Sequence, residues 1–190
     1  TQIVNPDPLE LLLRATRAFD QPFADSSALP TLLLSELAAK DVVVALSGDG
    51  GDEAFGGYVR YWAAPILQRW QVLFSSTRWV QQRILQTFDR GRVATSNRLP
   101  RSMKRYPDLG DRYLALMLWM ESDLRQRLWT QEAYAEIQGP SPERRFKELW
   151  AKFEALSELD QMRAHDMNMY LPGDLLTKVD IASMSCSLEV

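Results

Sequence analysis

The feature that most restricts this chain is a change of period at residue 42. Val42-Val43-Val44-Ala45-Leu46 is β-branched and continuously apolar, and it runs straight into Ser47-Gly48-Asp49-Gly50-Gly51-Asp52-Glu53. A short, uninterrupted apolar run predicts a strand buried on both faces, as in a parallel sheet. The glycines predict a loop handed from the strand end to a helix N-terminus, where backbone N–H groups can approach an anion closely. In an open α/β sheet, ligands bind beyond the carboxyl ends of the strands, which is where this loop falls. The expected fold class is therefore α/β and helix-rich, with one clear strand.

The flanking segments read as helices. Asp7, Pro8 and Glu10 occupy N-cap, N1 and N3 of a helix that runs to about Phe19, and Gln21-Pro22 breaks it. Ser27 is placed to cap a second helix, Ala28 to about Lys40, with an apolar stripe at Leu29, Leu32, Leu33 and Leu37. Beyond Gly56-Gly57 the pattern predicts helices over 61–74, 77–88, 111–121, 123–129 and 131–137. Ser141-Pro142 starts another, to about Leu156, and Ser157 with Asp160 starts one that ends at Leu171-Pro172. A last short helix is expected from Lys178 or Asp180.

Composition closes off several function classes. The chain has 190 residues, one cysteine (Cys186) and one histidine (His165), which excludes an intramolecular disulfide, a cysteine-based zinc site and a relay of histidines. Net charge is -3. Residues 69–105 carry nine basic side chains against the single acid Asp89, leaving 13 basic and 24 acidic residues elsewhere. Those arginines are interleaved with core-type residues over several helix faces, so a solvated helical surface is expected there and not a nucleic-acid site. The longest fully apolar run, Leu114 to Met120, is too short to span a bilayer. A cytoplasmic, reduced protein with no membrane partner is the expectation. The six tryptophans and seven methionines fall mostly at helical spacing, which core packing explains. His165 reads as a hydrogen-bonded structural side chain.

Two segments could carry chemistry. The loop is not a Walker A loop, since no Gly-Lys-Ser/Thr follows, and Glu53 stands where a dinucleotide fingerprint needs its third glycine. It holds three carboxylates, Asp49, Asp52 and Glu53. Carboxylates repel a bare polyphosphate, so phosphate binding here calls for a Mg²⁺ ion between acid and phosphate. The competing reading is a Gly-Asp turn whose acids cap the next helix. The second segment is Tyr170-Leu171-Pro172-Gly173-Asp174-Leu175-Leu176-Thr177-Lys178-Val179-Asp180, read as a helix end, a turn and a new helix start. Lys178 is flanked by Leu175, Leu176 and Val179 and could be held partly desolvated toward a phosphate; the alternative is a surface lysine lying along a helix.

Together these segments resemble a known family. Leu46 through Tyr58 is similar to the second nucleotide-site motif of glutamine-dependent asparagine synthetases. Phe19-Asp20-Gln21-Pro22-Phe23-Ala24-Asp25-Ser26-Ser27 resembles the segment preceding it, and Tyr170 through Glu189 resembles the family's C-terminal phosphate-binding segment. The resemblance implies a partial PP-loop domain of the adenine-nucleotide α-hydrolase, Rossmann-like kind. Residues 1–57 would form its α/β part, 58–156 a helical region and 157–190 the phosphate-site segment. It also implies that aspartate is adenylated by ATP and that ammonia from glutamine displaces AMP to give asparagine. Ser47, Gly48, Gly50 and Gly51 would touch ATP and Asp52 would hold Mg²⁺. Asp49 and Glu53 would be the catalytic acids, Lys178 would neutralise the leaving pyrophosphate, and Asp25 and Ser26 would face the amino-acid substrate.

The departures are as specific. The family's Ser-Gly-Gly-x-Asp-Ser loop and the glutaminase domain with its cysteine nucleophile do not occur in these residues, so the resemblance implies one piece of a larger synthetase, inactive by itself. A homodimer is carried with the resemblance as an open expectation. Related amidotransferases and β-lactam synthetases share the pattern, but β-lactam synthetases place a tyrosine at the position of Asp49, so the acid favours the amide-forming branch. A helical binding module that keeps the motif as scaffold is the reading from another class.

Overall fold

The computed structural model describes residues 6–74, 106–118, 120, 122–136 and 141–190. The helix expected over 77–88, and all of the basic stretch except Arg69–Gln71 and the three residues after it, lie outside the described residues. Two compact units emerge: one takes the chain up to Phe55 together with Asp166–Val190, the other takes Gly56–His165. The sequence pattern had placed these breaks near 57 and 156.

In the first unit, α1 (Pro8–Ala18) starts where the sequence predicts, because the Asp7 carboxylate accepts the Leu9 N–H at 2.9 Å and Pro8 opens the helix. Its buried Leu11 and Ala15 pack with Leu32 of α2 (Ala28–Ala38) and with Ala182 near the C-terminus. Partly buried Leu29, Leu33 and Cys186 complete that core, so the predicted leucine stripe is the packing face and the lone cysteine is one of its small fillers. Ser27 sits at the N-cap of α2 but its hydroxyl caps nothing.

The predicted strand is not formed. Val42, Val43 and Val44 are all exposed, Leu46 almost completely, where burial on both faces was expected. One parallel bridge joins Val44 to Glu189, closed by Ala45 N–H to Glu189 O at 2.8 Å and Glu189 N–H to Val43 O at 3.0 Å. Extended backbone becomes a strand only when neighbours of several residues pair with it. Here the neighbour is the short stretch 188–190, and no second extended segment flanks the other edge among the described residues. Among the described residues the chain is helix-rich, as expected, and the expected strand is reduced to this isolated bridge.

A helix C-terminus sets that bridge. α10 (Thr177–Met184) ends in a turn in which the Leu188 N–H returns to Ser183 O at 3.0 Å and Ser187 takes a left-handed φ of 59°. This is the glycine position of a helix-terminating motif, and Leu188 beyond it is buried. Ser187→Gly should therefore stabilise the protein by about 1 kcal/mol, because glycine adopts this conformation without the Cβ clash. An unchanged denaturant midpoint would refute the assignment.

The second unit is built on α4 (Val59–Phe74), α5 (Leu109–Met117), α6 (Ser122–Leu128), α7 (Gln131–Glu136), α8 (Pro142–Ala151) and most of α9 (Glu158–Asn168). α5 begins two residues before the predicted start because Asp108, not a later residue, caps it, accepting from the Asp111 N–H at 2.8 Å. α8 starts as read, with Ser141 Oγ accepting from the Arg144 N–H, but ends at Ala151; residues 152–156 tighten into i→i−3 bonds. Tyr113, Phe146, Trp150 and His165 form an aromatic core, with the buried imidazole 4.1 Å from the Phe146 ring centroid. Arg112 is also buried there, its guanidinium donating to Gln68 and Gln71 of α4.

The packing assigned to every tryptophan does not hold. Trp62, Trp70 and Trp129 are each at least half exposed. On α4 the buried face carries Tyr61 and Ala64, while Trp62, Ile66 and Trp70 follow one another at i, i+4 and i+8 on an exposed face. Helical spacing shows that residues share a face; it does not show that the face meets anything.

Candidate active site

The loop after the bridge is shaped by glycine and by its own acids. Gly50 has a φ of 87°, which turns the chain so that the Gly51 N–H meets Gly48 O at 3.1 Å and the Ala54 N–H meets Gly50 O at 2.9 Å. The helix that follows, α3 (Gly51–Phe55), has only five residues. Its macrodipole is correspondingly small and would add little to the attraction of an anion. A Cβ built on Gly48 or Gly51 meets nothing within 4 Å, so this side of the loop is open.

The polar residues of the loop divide by exposure. Ser47, Asp49 and Asp52 are exposed, with Ser47 Oγ donating to Asp49 Oδ2 at 2.7 Å. Glu53 is completely buried, so the third carboxylate faces the interior. Among the described residues, no group of three or more His, Cys, Asp and Glu side chains is arranged to hold a metal. The two exposed loop carboxylates, Asp49 and Asp52, are of the kind that bind Mg²⁺ together with phosphate and water, and they do not make an all-protein cage.

The turn expected inside the second segment, between a helix end and a new helix start, is not formed. After α9 the chain continues as a wide π-helical stretch, Leu171–Leu176, and passes directly into α10. Pro172 and Gly173 do not stop it: the Gly173 N–H still reaches Met169 O at 3.1 Å, and the Thr177 hydroxyl donates to Pro172 O at 2.7 Å. Such local widening inside a helix re-aims the side chains that follow it.

One of those side chains is Lys178, which is buried. Its ammonium donates to Asp25 Oδ2 at 2.8 Å and to Ser27 Oγ at 2.7 Å. Ser27 in turn donates from Oγ to Asp25 Oδ2 at 2.6 Å and from its backbone N–H to Asp25 Oδ1 at 2.9 Å. Burial pushes the Asp25 carboxyl up, but the hydrogen bonds from Lys178 and Ser27 and the lysine charge outweigh it and hold the carboxyl below its ordinary value. Asp174 goes the other way: burial and the nearby charge of Asp25 raise it, with Lys178 opposing. Ser26, between the two Lys178 partners in sequence, is exposed.

All three sequence blocks, apart from Gly56-Gly57-Tyr58, thus fall in the first unit. A Cβ on Gly50 would lie 3.6 Å from Leu171 Cδ2, which sets the loop against the start of the π-helical stretch. Lys178 ties that same segment to Asp25 and Ser27, and Glu189 ties its end to Val44. Sequence reasoning named Lys178, Asp25 and the loop residues, but it missed the pairing among them. It gave Ser27 a capping role in place of the lysine contact and gave Asp174 no role. The signal available for Asp25 and Ser27 was only an acid and a hydroxyl two residues apart.

The sequence profile of the asparagine synthase family matches residues 1–190. Among curated proteins, the chain is 26% identical over 195 residues to glutamine-hydrolysing asparagine synthetase 1 of Bacillus subtilis, covering 100% of this chain and 29% of that protein. A Methanocaldococcus jannaschii protein, provisionally named a second glutamine-hydrolysing asparagine synthetase, is 52% identical over 52 residues, 27% of this chain and 10% of its own length. A Mycobacterium tuberculosis protein with a similarly provisional name is 27% identical over 178 residues, 90% of this chain and 25% of its own length. The chain therefore spans less than a third of the relatives it matches. No solved structure gives a significant match.

Proposed function

The chain belongs to the asparagine synthase family, and on that premise we propose that it forms one wall of the site at which an amino acid, aspartate first among them, is activated by ATP for amide formation with ammonia drawn from glutamine. The observation that carries this reading is the convergence of residues 25–27, 47–53 and 171–189 in one compact unit. The α1–α2–α10 core brings the first and last of these segments together, and the contact of the loop with Leu171 adds the second, so the three family-like segments are available to one site.

In this reading the open backbone of Gly48 and Gly51, with Gly50 shaping the turn and Ser47 beside it, receives the phosphates. Asp52, which is exposed, would hold Mg²⁺. When bound, the metal supplies neutralisation of the pyrophosphate oxygens. Asp49 stands exposed beside Ser47, where it can face the acyl group being activated, and breaking its bond to Ser47 costs about 1 kcal/mol. Lys178 presents a fixed positive charge from the other segment, where charge develops on the departing pyrophosphate. Glu53, being buried, supports α3 from inside.

No helix among the described residues is long and apolar enough to cross a membrane. The glutaminase chemistry needs residues other than these, because Cys186 packs in the α1–α2 core. Aspartate-dependent exchange of labelled pyrophosphate into ATP, measured on the full-length protein, tests the proposal. Exchange that requires both Mg²⁺ and aspartate is the expected result. Absence of exchange with aspartate, with ATP turnover to ADP in its place, would overturn it.

A further inference from the structure

The contacts of Lys178 carry the reading one step further. A lysine ammonium has three N–H donors and a flexible four-carbon stem, so an isolated lysine near a phosphate is a mobile charge. Here two of the three donors are committed, one to Asp25 Oδ2 at 2.8 Å and one to Ser27 Oγ at 2.7 Å. The acceptors are themselves fixed. Ser27 donates its hydroxyl to the same Asp25 oxygen at 2.6 Å, and its backbone N–H holds the other oxygen at 2.9 Å. Lys178, Asp25 and Ser27 form a closed three-membered ring of hydrogen bonds across 151 to 153 residues of sequence. Lys178 is buried, so water does not compete freely for these bonds. Asp174, on the π-helical stretch one turn before, is a further charged group coupled to this pair.

Building on the role proposed for Lys178 above, we infer that Asp25 and Ser27 are positioning residues that lock the Lys178 ammonium so that its third N–H alone points to substrate. Asp25 then does not touch the amino-acid substrate, which is the role the family resemblance implies for it. Ser27 is the better handle of the two. Its hydroxyl makes no helix cap, so Ser27→Ala removes the bond from the ammonium and the bond to Asp25 and leaves both charges and the start of α2 in place.

The test has a chemical and a kinetic arm, both on the full-length protein. Without ligands, reductive methylation followed by mass spectrometry should label Lys178 at least about tenfold more slowly than exposed Lys40. Ser27→Ala and Asp25→Asn should each speed labelling of Lys178 about fivefold or more and leave Lys40 unchanged. In pyrophosphate exchange, Ser27→Ala should lower kcat about tenfold and Asp25→Asn about a hundredfold, with KM for ATP and aspartate within threefold. Ser27→Thr, which keeps the hydroxyl, should restore the rate. In a Lys178→Ala background, Ser27→Ala should cost nothing more. If Asp25→Asn does not fold, the Ser27 variants decide.

Unchanged labelling in Ser27→Ala overturns the inference, and so does a further loss in the Lys178→Ala background, which would mark a general structural role. A rise in KM for aspartate alone in Asp25→Asn also overturns it, by placing Asp25 on the substrate. A normal rate in Lys178→Ala refutes the role of Lys178 itself, whereas a slow Lys178→Ala with normal Ser27→Ala and Asp25→Asn refutes only the positioning.

Discussion

Asp52→Asn is expected to slow pyrophosphate exchange in the full-length protein by about a thousandfold while leaving the melting temperature within about a degree. The two halves of this expectation have separate causes. Asp52 is exposed in the first turn of the five-residue α3, so an isosteric amide removes no packing. In the proposed site its charge is what holds Mg²⁺, and an amide oxygen is a much weaker ligand for a small, strongly hydrated cation. No cluster of three or more potential metal ligands stands by among the described residues to take over. A higher Mg²⁺ concentration should recover part of the rate, since the defect is one of occupancy. A fully active Asp52→Asn protein would mean that the loop Ser47–Glu53 is a turn and nothing else.

Lys178→Met should have the largest effect on stability. Methionine replaces the stem but not the charge, and it leaves the half-buried carboxylates of Asp25 and Asp174 without their cation. Removing one member of a buried ion pair typically costs about 3 kcal/mol. The pH dependence identifies the cause. The Asp25 carboxyl lies below its ordinary value in the folded protein, so its stabilisation is complete above 3.8 and is lost as pH falls through the lowered folded value. Asp174 has the opposite sign: its carboxyl is raised, so its cost is complete above the raised value and is relieved as pH falls toward 3.8. In the variant no ammonium opposes the burial of either carboxyl, and only the Ser27 hydrogen bonds still favour the charged form of Asp25. The gap in urea midpoint between wild type and Lys178→Met should therefore be widest near neutrality and shrink on acidification, as protonation removes the uncompensated charge. A gap that stays constant from neutral pH to pH 4 would assign the loss to packing around the methylene stem.

Local chemistry was the legible part of this chain. Asp7-Pro8 and Ser141-Pro142 start helices where they stand because a carboxylate or hydroxyl two or three residues ahead of an unsatisfied N–H needs no help from the rest of the fold. The stripe of Leu29, Leu32 and Leu33 became a core face for the same local reason, a helical period matched to a neighbouring helix. The loop's glycines could be read because Gly50 needs its positive φ whatever surrounds it.

Everything that depended on a partner was decided by tertiary structure. Val42–Leu46 has the composition of a buried strand, yet strand formation is a property of two paired segments, and among the described residues only Glu189 comes to meet it. Trp62 and Trp70 have the spacing of a packed stripe, but which side of α4 is covered depends on Tyr113 of α5 stacking with Tyr61 of α4. Pro172-Gly173 reads as a helix end, and the chain passes through it because a π-helical widening keeps the neighbouring carbonyls bonded. The same holds at the site. Sequence alone named Lys178 and Asp25 as polar residues worth notice, and it placed Ser27 as a cap. That these three close one ring could only be settled by folding, because a hydrogen bond between groups some 150 residues apart leaves no local trace in the residues that make it.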